Sequence, residues 1–288
     1  MATWREVISR GGEYLAAKGI DDACAAVEFL AARLLHTGRG LLAAHLDATP
    51  GEKHLEAMRR GVKRLAVGEP LQYILGEWDF RTLTLKCDSR ALIPRPETEG
   101  LVSLVLDFLR SLKTPGRKPV VVDVGTGTGA IILSIAAEFK GEAILVGTDF
   151  SAAALSLARE NAAKTALESK VRFLAMDGLD DFDEPGTIDA IVSNPPYIAT
   201  EELVHLEHRV RSYEPHMALD GGKTGMDFYE RYVTDAMNLL SPGGGIFFEI
   251  GSTQGPAVRS LLESCGFSGV AIARDLAGLD RYAYATLA

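Results

Sequence analysis

The sequence predicts an α/β protein, with a mostly parallel sheet covered by helices on both faces and a small helical domain in front, joined by a β-hairpin. Three observations predict it. Residues 1–70 carry helical apolar spacing. Residues 71–93 change to short strand-like runs with turn residues between them. From Val120 onward strands and helices alternate, which requires crossover connections and parallel strands. The expected domains are 1–72 (helical, for docking a partner), 73–93 (hairpin linker) and 94–288 (catalytic).

The elements follow in order. Asp22 to Leu35 spaces its apolar residues as a helix does, after an acidic start. Thr49-Pro50 opens a second helix, with Pro50 near its first turn. Its apolar stripe is Leu55, Met58, Val62 and Leu65. Lys53, Arg59, Arg60, Lys63 and Arg64 occupy its other faces, as a solvated surface or as a docking face for an acidic partner. Leu83-Thr84-Leu85 and Ala91-Leu92-Ile93 are the expected hairpin strands, turning at Asp88-Ser89. Pro94-Arg95-Pro96 stops the hairpin, and a helix follows over Thr98–Leu112. Seven strands are expected, at 120–124, 143–147, 171–175, 188–193, 245–250, 270–273 and 282–286. Helices at 130–139, 152–163, 227–239 and 256–264 alternate with them.

Composition narrows the function. The chain has 288 residues, 47% of them hydrophobic and 24% charged, the balance of a globular protein with a sizeable core. Cys24, Cys87 and Cys265 lie far apart, so neither a disulfide framework nor a zinc site is expected. His205 and His208 have no evident third ligand, and no metal is expected. No apolar run reaches membrane-spanning length, and residues 1–14 are too charged for a signal-peptide core. The protein is therefore expected in the cytosol, off the membrane. Net charge is −9; residues 1–72 hold ten Lys/Arg against nine Asp/Glu, so the acidity lies in residues 73–288. An acidic catalytic half argues against nucleic acid as the main partner. Nothing in the sequence demands an oligomer, and a monomer is expected.

Two stretches carry chemistry. Gly125-Thr126-Gly127-Thr128-Gly129 joins an expected strand to an expected helix. Glycines there make a tight turn and let the backbone approach a ligand. Asp149 ends the next strand, 20 residues beyond Gly129, where a carboxylate can accept both hydroxyls of a ribose. The pair reads as a nucleoside-cofactor site, and Gly125, Gly127 and Ala130 also fit a dinucleotide fingerprint.

Asn194-Pro195-Pro196-Tyr197 follows the buried-strand run Ile188–Ser193. Neither proline can donate to a sheet ladder, and the residue before each is held extended. The Asn194 side-chain oxygen and the Pro195 carbonyl then form a rigid pair of acceptors beside an aromatic ring. Such a cradle suits an NH2 group on a planar substrate. It favours S-adenosylmethionine over a nicotinamide cofactor, because hydride transfer needs a proton relay rather than an NH2 cradle. Asp123 either holds the glycine turn or reaches the cofactor's ammonium. Glu97 and Glu99 either face the pocket or cap the helix behind them.

With these motifs the chain resembles the release factor glutamine methyltransferases, the HemK family, over almost its whole length. The resemblance is carried by Gly68–Gly76, Leu92–Glu99, Asp123–Ala130, Asn194–Tyr197, Tyr213–Gly222 and Gly278–Arg281. It implies a Rossmann-like class I methyltransferase domain with S-adenosyl-L-methionine as cofactor. It implies as substrate the Gly-Gly-Gln glutamine of class I peptide chain release factors, methylated on its side-chain amide nitrogen. Gly125 to Gly129 and Asp149 would then bind the cofactor, with Asp177, Gly178 and Asn194. Asn194, Pro195, Pro196 and Tyr197 would bind substrate, with Asn194, Pro195 and Tyr197 catalytic. Some members carry a tryptophan where this chain has Gly178; here the adenine is expected on Leu179, with Asp177 near its amino group. Other amino-group methyltransferases, acting on adenine or on another protein's glutamine, share Asn-Pro-Pro-Tyr, and a non-catalytic cofactor-binding module is a further alternative.

Overall fold

The computed structural model describes residues 2–288. The chain forms two compact units, residues 1–76 with 207–213, and residues 77–206 with 214–288.

The first unit is helical. Helix α1 (Trp4–Ala16) starts on a capping box, in which the Thr3 hydroxyl accepts from the Glu6 amide and the Glu6 carboxylate accepts from the Thr3 amide. Helix α2 (Ala23–Leu34) is apolar nearly all round, and buries Val27, Leu30 and Ala31 against Trp4, Leu15 and Met58. Helix α3 (Glu52–Ala66) buries one stripe. Its basic residues are partly spoken for, since Arg59 pairs with Glu52, Arg60 with Glu56 and Arg64 with Glu69. A short helix α4 (Leu71–Leu75) closes the run.

The second unit opens with the hairpin, in a different place from that expected. Strands β1 (Glu77–Phe80) and β2 (Leu83–Lys86) pair antiparallel around Arg81-Thr82, and Ala91–Ile93 forms no strand. Arg81 takes the left-handed conformation, with φ +53°. Its guanidinium is gripped by Glu138 at 2.7 Å, by Ser103 at 2.8 Å and by the Glu99 carbonyl. Tertiary contacts therefore set this turn, and no local glycine signals it.

Helix α5 (Thr98–Ser111) leads into the sheet. The strands are β3 (Val120–Val124), β4 (Ile144–Asp149), β5 (Val171–Ala175), β6 (Ile188–Ser193), β7 (Leu240–Glu249), β8 (Phe267–Arg274) and β9 (Asp280–Leu287). Helices α6 (Ala130–Glu138), α7 (Ala152–Lys164), α9 (Asp227–Leu239) and α10 (Gly255–Ser264) connect them, while α8 (His208–Tyr213) belongs to the first unit. The order is β5-β4-β3-β6-β7-β9-β8, parallel except around β9. Each expected strand is present. β7 begins five residues early because the Ser241-Pro242-Gly243-Gly244 stretch, turn-like in sequence, stays in the ladder through a register shift.

The sheet is buried on both faces, as a parallel sheet must be. Val121, Val192 and Phe247 pack with α5 and α6; Val122, Ile191, Ile246 and Phe248 pack with α9 and α10. Buried Asp189 pins the start of β6. It accepts from Arg117 at 2.5 and 2.6 Å, from the Val120 amide at 2.9 Å and from Ser241 at 2.8 Å. The strand order reverses between the parallel neighbours β3 and β6, the crevice where open α/β sheets take ligands.

Candidate active site

A cavity of about 420 Å³ opens at the carboxyl ends of β3, β4, β5 and β6. Its geometry follows from how each strand ends. After Val124 the chain turns through Gly125, Gly127 and Gly129, with φ of +72°, +57° and +81°. L side chains rarely adopt such values. A Cβ on Gly125 would meet no protein atom within 4 Å, yet the residue lines the cavity, so its open face is offered to a ligand. Gly129 caps α6 under the turn and is not among the lining residues. Ser193, buried at the end of β6, donates to the Val124 carbonyl at 2.7 Å and ties Asn194 beside the glycine turn.

Asp149, ending β4, accepts from the Gly127 amide at 2.9 Å and from the Ser151 amide at 2.8 Å. Burial pushes its carboxyl up, and those two bonds oppose the shift. The carboxylate is thus fixed at the cavity wall with acceptor capacity left over. Asp123 is fully buried and holds the turn, accepting from the Thr126 hydroxyl at 2.6 Å. Burial drives its carboxyl up to about 7, and its other oxygen has no hydrogen-bond partner among the described residues.

Asp177 and Gly178 line the cavity beyond β5. Arg231 on α9, which sequence reading missed, holds them in place. It donates to Asp177 Oδ1 at 2.7 Å, to the Asp177 carbonyl at 2.8 Å and to Asp180 at 2.8 Å. The expectation for Leu179 is corrected. It is 1% exposed within the core around Tyr229 and Val233, so it offers no surface to an adenine. Exposed Phe150, beside Asp149, supplies an aromatic ring at the cavity instead.

Asn194, Pro195 and Pro196 line the opposite wall. Tyr197 does not: its ring packs on the core beneath α9, burial pushes its hydroxyl up to about 12, and its carbonyl accepts from Gln254. It anchors the segment rather than facing a substrate. Glu97 and Glu99 also miss the cavity, and Glu99 accepts from the Arg81 amide. The Leu92–Arg95 stretch does line it, held by buried Glu214, which accepts from the Ile93 amide at 3.1 Å and from Arg95 at 2.5 Å. Asn161 fastens the hairpin to the glycine turn, bonding Lys86 at both main-chain atoms and the Thr128 carbonyl. His205 and His208 lie on separate short helices, and no group of three metal-ligating side chains occurs among the described residues.

Comparison with known proteins places this geometry. Residues 104–210 match the family described as methyltransferase small domain, and residues 6–76 match the PrmC N-terminal domain. A release factor glutamine methyltransferase from Moorella thermoacetica is 38% identical over 280 residues, 97% of this chain and 96% of its own. One from Bacillus subtilis is 37% identical over 98% of this chain and 96% of its own. The chain belongs to the release factor glutamine methyltransferases. The human relative named MTRF1L release factor glutamine methyltransferase is 33% identical over 96% of this chain and 85% of its own. Among solved structures, the hMettl16 catalytic domain with a MAT2A hairpin shares the fold, with a TM-score of 0.56 at 16% identity, covering 76% of this chain and 79% of its own.

The enzyme's cofactor is S-adenosylmethionine, and the cavity fits it. Asp149 meets the needs of a ribose, the glycine turn leaves room for close approach, and Phe150 with Asp177 offers a ring and an acceptor for a base.

Proposed function

We propose that the chain methylates the side-chain amide nitrogen of the glutamine in the Gly-Gly-Gln motif of class I peptide chain release factors. The family supports the substrate, and one observation carries the chemistry: Asn194 and Pro195 face Asp149 and the glycine turn across a single cavity. When bound, the cofactor supplies an electrophilic methyl on its sulfonium.

Asp149, Gly125 to Thr128, Asp177 and Gly178 hold the cofactor. Asn194 Oδ1 and the Pro195 carbonyl accept the two N–H bonds of the glutamine amide, with Pro196 shaping the slot. An amide nitrogen is a poor nucleophile because its lone pair is delocalised into the carbonyl. Fixing both N–H bonds aims the lone pair and removes the entropy of alignment. The same acceptors stabilise positive charge developing on nitrogen without reorganising. No side chain is assigned as base, and the proton leaves to water. The net charge of −9 suits a protein partner rather than a phosphate backbone. No helix among the described residues is long and apolar enough to cross a membrane. The reading is of a cytosolic monomer that needs no nucleic acid.

The test is transfer of labelled methyl from S-adenosylmethionine to an unmethylated class I release factor, located by peptide mass spectrometry. The expected label lies on the Gly-Gly-Gln glutamine and disappears with Asn194→Ala, which still binds cofactor. Label at another residue, or loss of cofactor binding with turnover per bound complex intact, refutes the assignment.

A further inference from the structure

A hydrogen-bonded chain runs from Asn194 into the protein. Asn194 Nδ2 lies 3.2 Å from Thr98 Oγ1, and Thr98 Oγ1 lies 2.6 Å from Glu249 Oε2. Thr98 opens α5 and is 5% exposed; Glu249 closes β7 and is 1% exposed. Its chain neighbours Phe248 and Ile250 are fully buried and apolar. A carboxylate is costly at such a place unless it is hydrogen-bonded, and an apolar residue would serve the strand better. The acid therefore calls for a role outside packing.

The polarity of the chain supplies one. A threonine hydroxyl has a single proton, and an ionised carboxylate only accepts. Thr98 must donate to Glu249, so toward Asn194 its oxygen can only accept. Of the Asn194 amide only the NH2 can donate, and this turns Oδ1 toward the cavity that Asn194 lines. Oδ1 is the atom assigned above to accept the substrate N–H, and the present reading rests on that assignment.

We propose that Thr98 and Glu249 are positioning residues that lock the Asn194 amide with its oxygen toward the substrate, with ionised Glu249 setting the direction of the chain. Two segments far apart in sequence, the start of α5, where Thr98 also lines the cavity, and the end of β7, thereby act on the acceptor through hydrogen bonds.

Several charged or titratable groups face Glu249. They are Arg281 on β9, Arg95 and Glu97 ahead of α5, and the hydroxyls of Tyr197, Tyr229 and Tyr282. Burial pushes the Glu249 carboxyl up to about 7; the Thr98 bond, Arg281 and Arg95 pull it down, and Glu97 adds to the rise. Once protonated, Glu249 can donate to Thr98. The Thr98 proton is then free to point at Asn194 Oδ1, and the flipped amide presents NH2 to a substrate NH2. Donor meets donor, so methyl transfer is present above this titration and is lost as pH falls through about 7.

The experiment compares Thr98→Val, Thr98→Ser and Glu249→Gln with the wild type and with Asn194→Ala. Methyl transfer to the release factor is measured from pH 5.5 to 9 (roughly, the span around such a titration), and cofactor binding by calorimetry. Thr98→Val keeps the shape of threonine and removes the hydroxyl. It is expected to lower kcat roughly tenfold or more, with cofactor Kd within about twofold. Thr98→Ser is expected to restore most of the rate, and Glu249→Gln to lower kcat and lose the acidic limb of the pH profile. Wild-type kcat in Thr98→Val beside an inactive Asn194→Ala overturns the relay and leaves the cradle standing. An unchanged acidic limb in Glu249→Gln, or equal losses in Thr98→Val and Thr98→Ser, also overturns it. Full activity in Asn194→Ala removes the acceptor assignment itself, and the relay with it.

Discussion

Gly221→Ala should slow methyl transfer without touching the cofactor. A Cβ on Gly221 would lie 2.7 Å from the Pro196 carbonyl oxygen, 2.8 Å from Tyr197 Cα and 3.0 Å from Gly225 Cα. All three are backbone atoms, so no side chain can rotate out of the way. The two segments are laced together as well: the Gly221 amide donates to the Ile198 carbonyl at 2.8 Å, and the Ile198 amide to the Leu219 carbonyl at 3.1 Å. A carbon–oxygen contact is comfortable near 3.3 Å, so the Pro196 carbonyl must retreat by about 0.6 Å. Groups that act on a substrate need placement within about 0.5 Å, and a displacement of about 1 Å can cost a hundredfold. A roughly tenfold fall in kcat is expected. Overpacking adds about 1–3 kcal/mol of destabilisation, seen as a melting temperature lower by several degrees. Calorimetry should find cofactor Kd nearly unchanged, because Asp149 and the glycine turn stand on β3 and β4. Gly40→Ala, where a Cβ meets nothing within 4 Å, is the silent control. Wild-type kcat and melting temperature in Gly221→Ala would refute the view that this glycine seats the acceptor segment.

Asp149→Ala should raise cofactor Kd at least tenfold in a calorimetric titration, since hydrogen bonds to a charged acceptor contribute about 1.5–3 kcal/mol each. An unchanged Kd removes the ribose assignment. Arg231→Ala frees Asp177 from two hydrogen bonds and Asp180 from one. As Arg231 is partly exposed, the expected rise in cofactor Kd is a modest threefold or so, with kcat at saturating cofactor preserved; a fall in that kcat would place Arg231 in the transfer step instead.

How far the sequence spoke depended on whether a feature's cause was local. The strands β3 and β6 announce themselves as apolar runs ended by glycine and by proline, and the mostly parallel sheet follows from the alternation around them. The glycine turn and Asp149 were readable together because a nucleoside-cofactor fingerprint sets them at a fixed spacing on consecutive strands, and the structure brings both to one cavity. The hairpin was misplaced because its turn residue, Arg81, owes its left-handed conformation to Glu138, Ser103 and Glu99. No Asn-Gly or Asp-Gly signal stood there, while Asp88-Ser89 looked like one. Leu179 misled in another way. Gly178, with φ +64°, turns the chain so that its successor points into the core and not the cavity.

The same distinction explains the segments that carried the family resemblance without an evident use. Asn-Pro-Pro makes its own acceptors, but it cannot place them. Placement comes from two distant stretches. Glu214 holds the Ile93–Arg95 wall from 119 residues away, Gly221 seats Pro196, and Thr98 reaches Asn194 across 96 residues. Each acts through one or two hydrogen bonds or one missing Cβ, which leaves no periodicity to read. Amide chemistry tolerates little error in alignment, so a short motif of this kind is only as good as the residues behind it. Those residues lie in Leu92–Glu99 and Tyr213–Gly222, and their spread along the chain follows from the fold, which brings α5, the end of β6 and the loop before α9 together at the carboxyl ends of the strands.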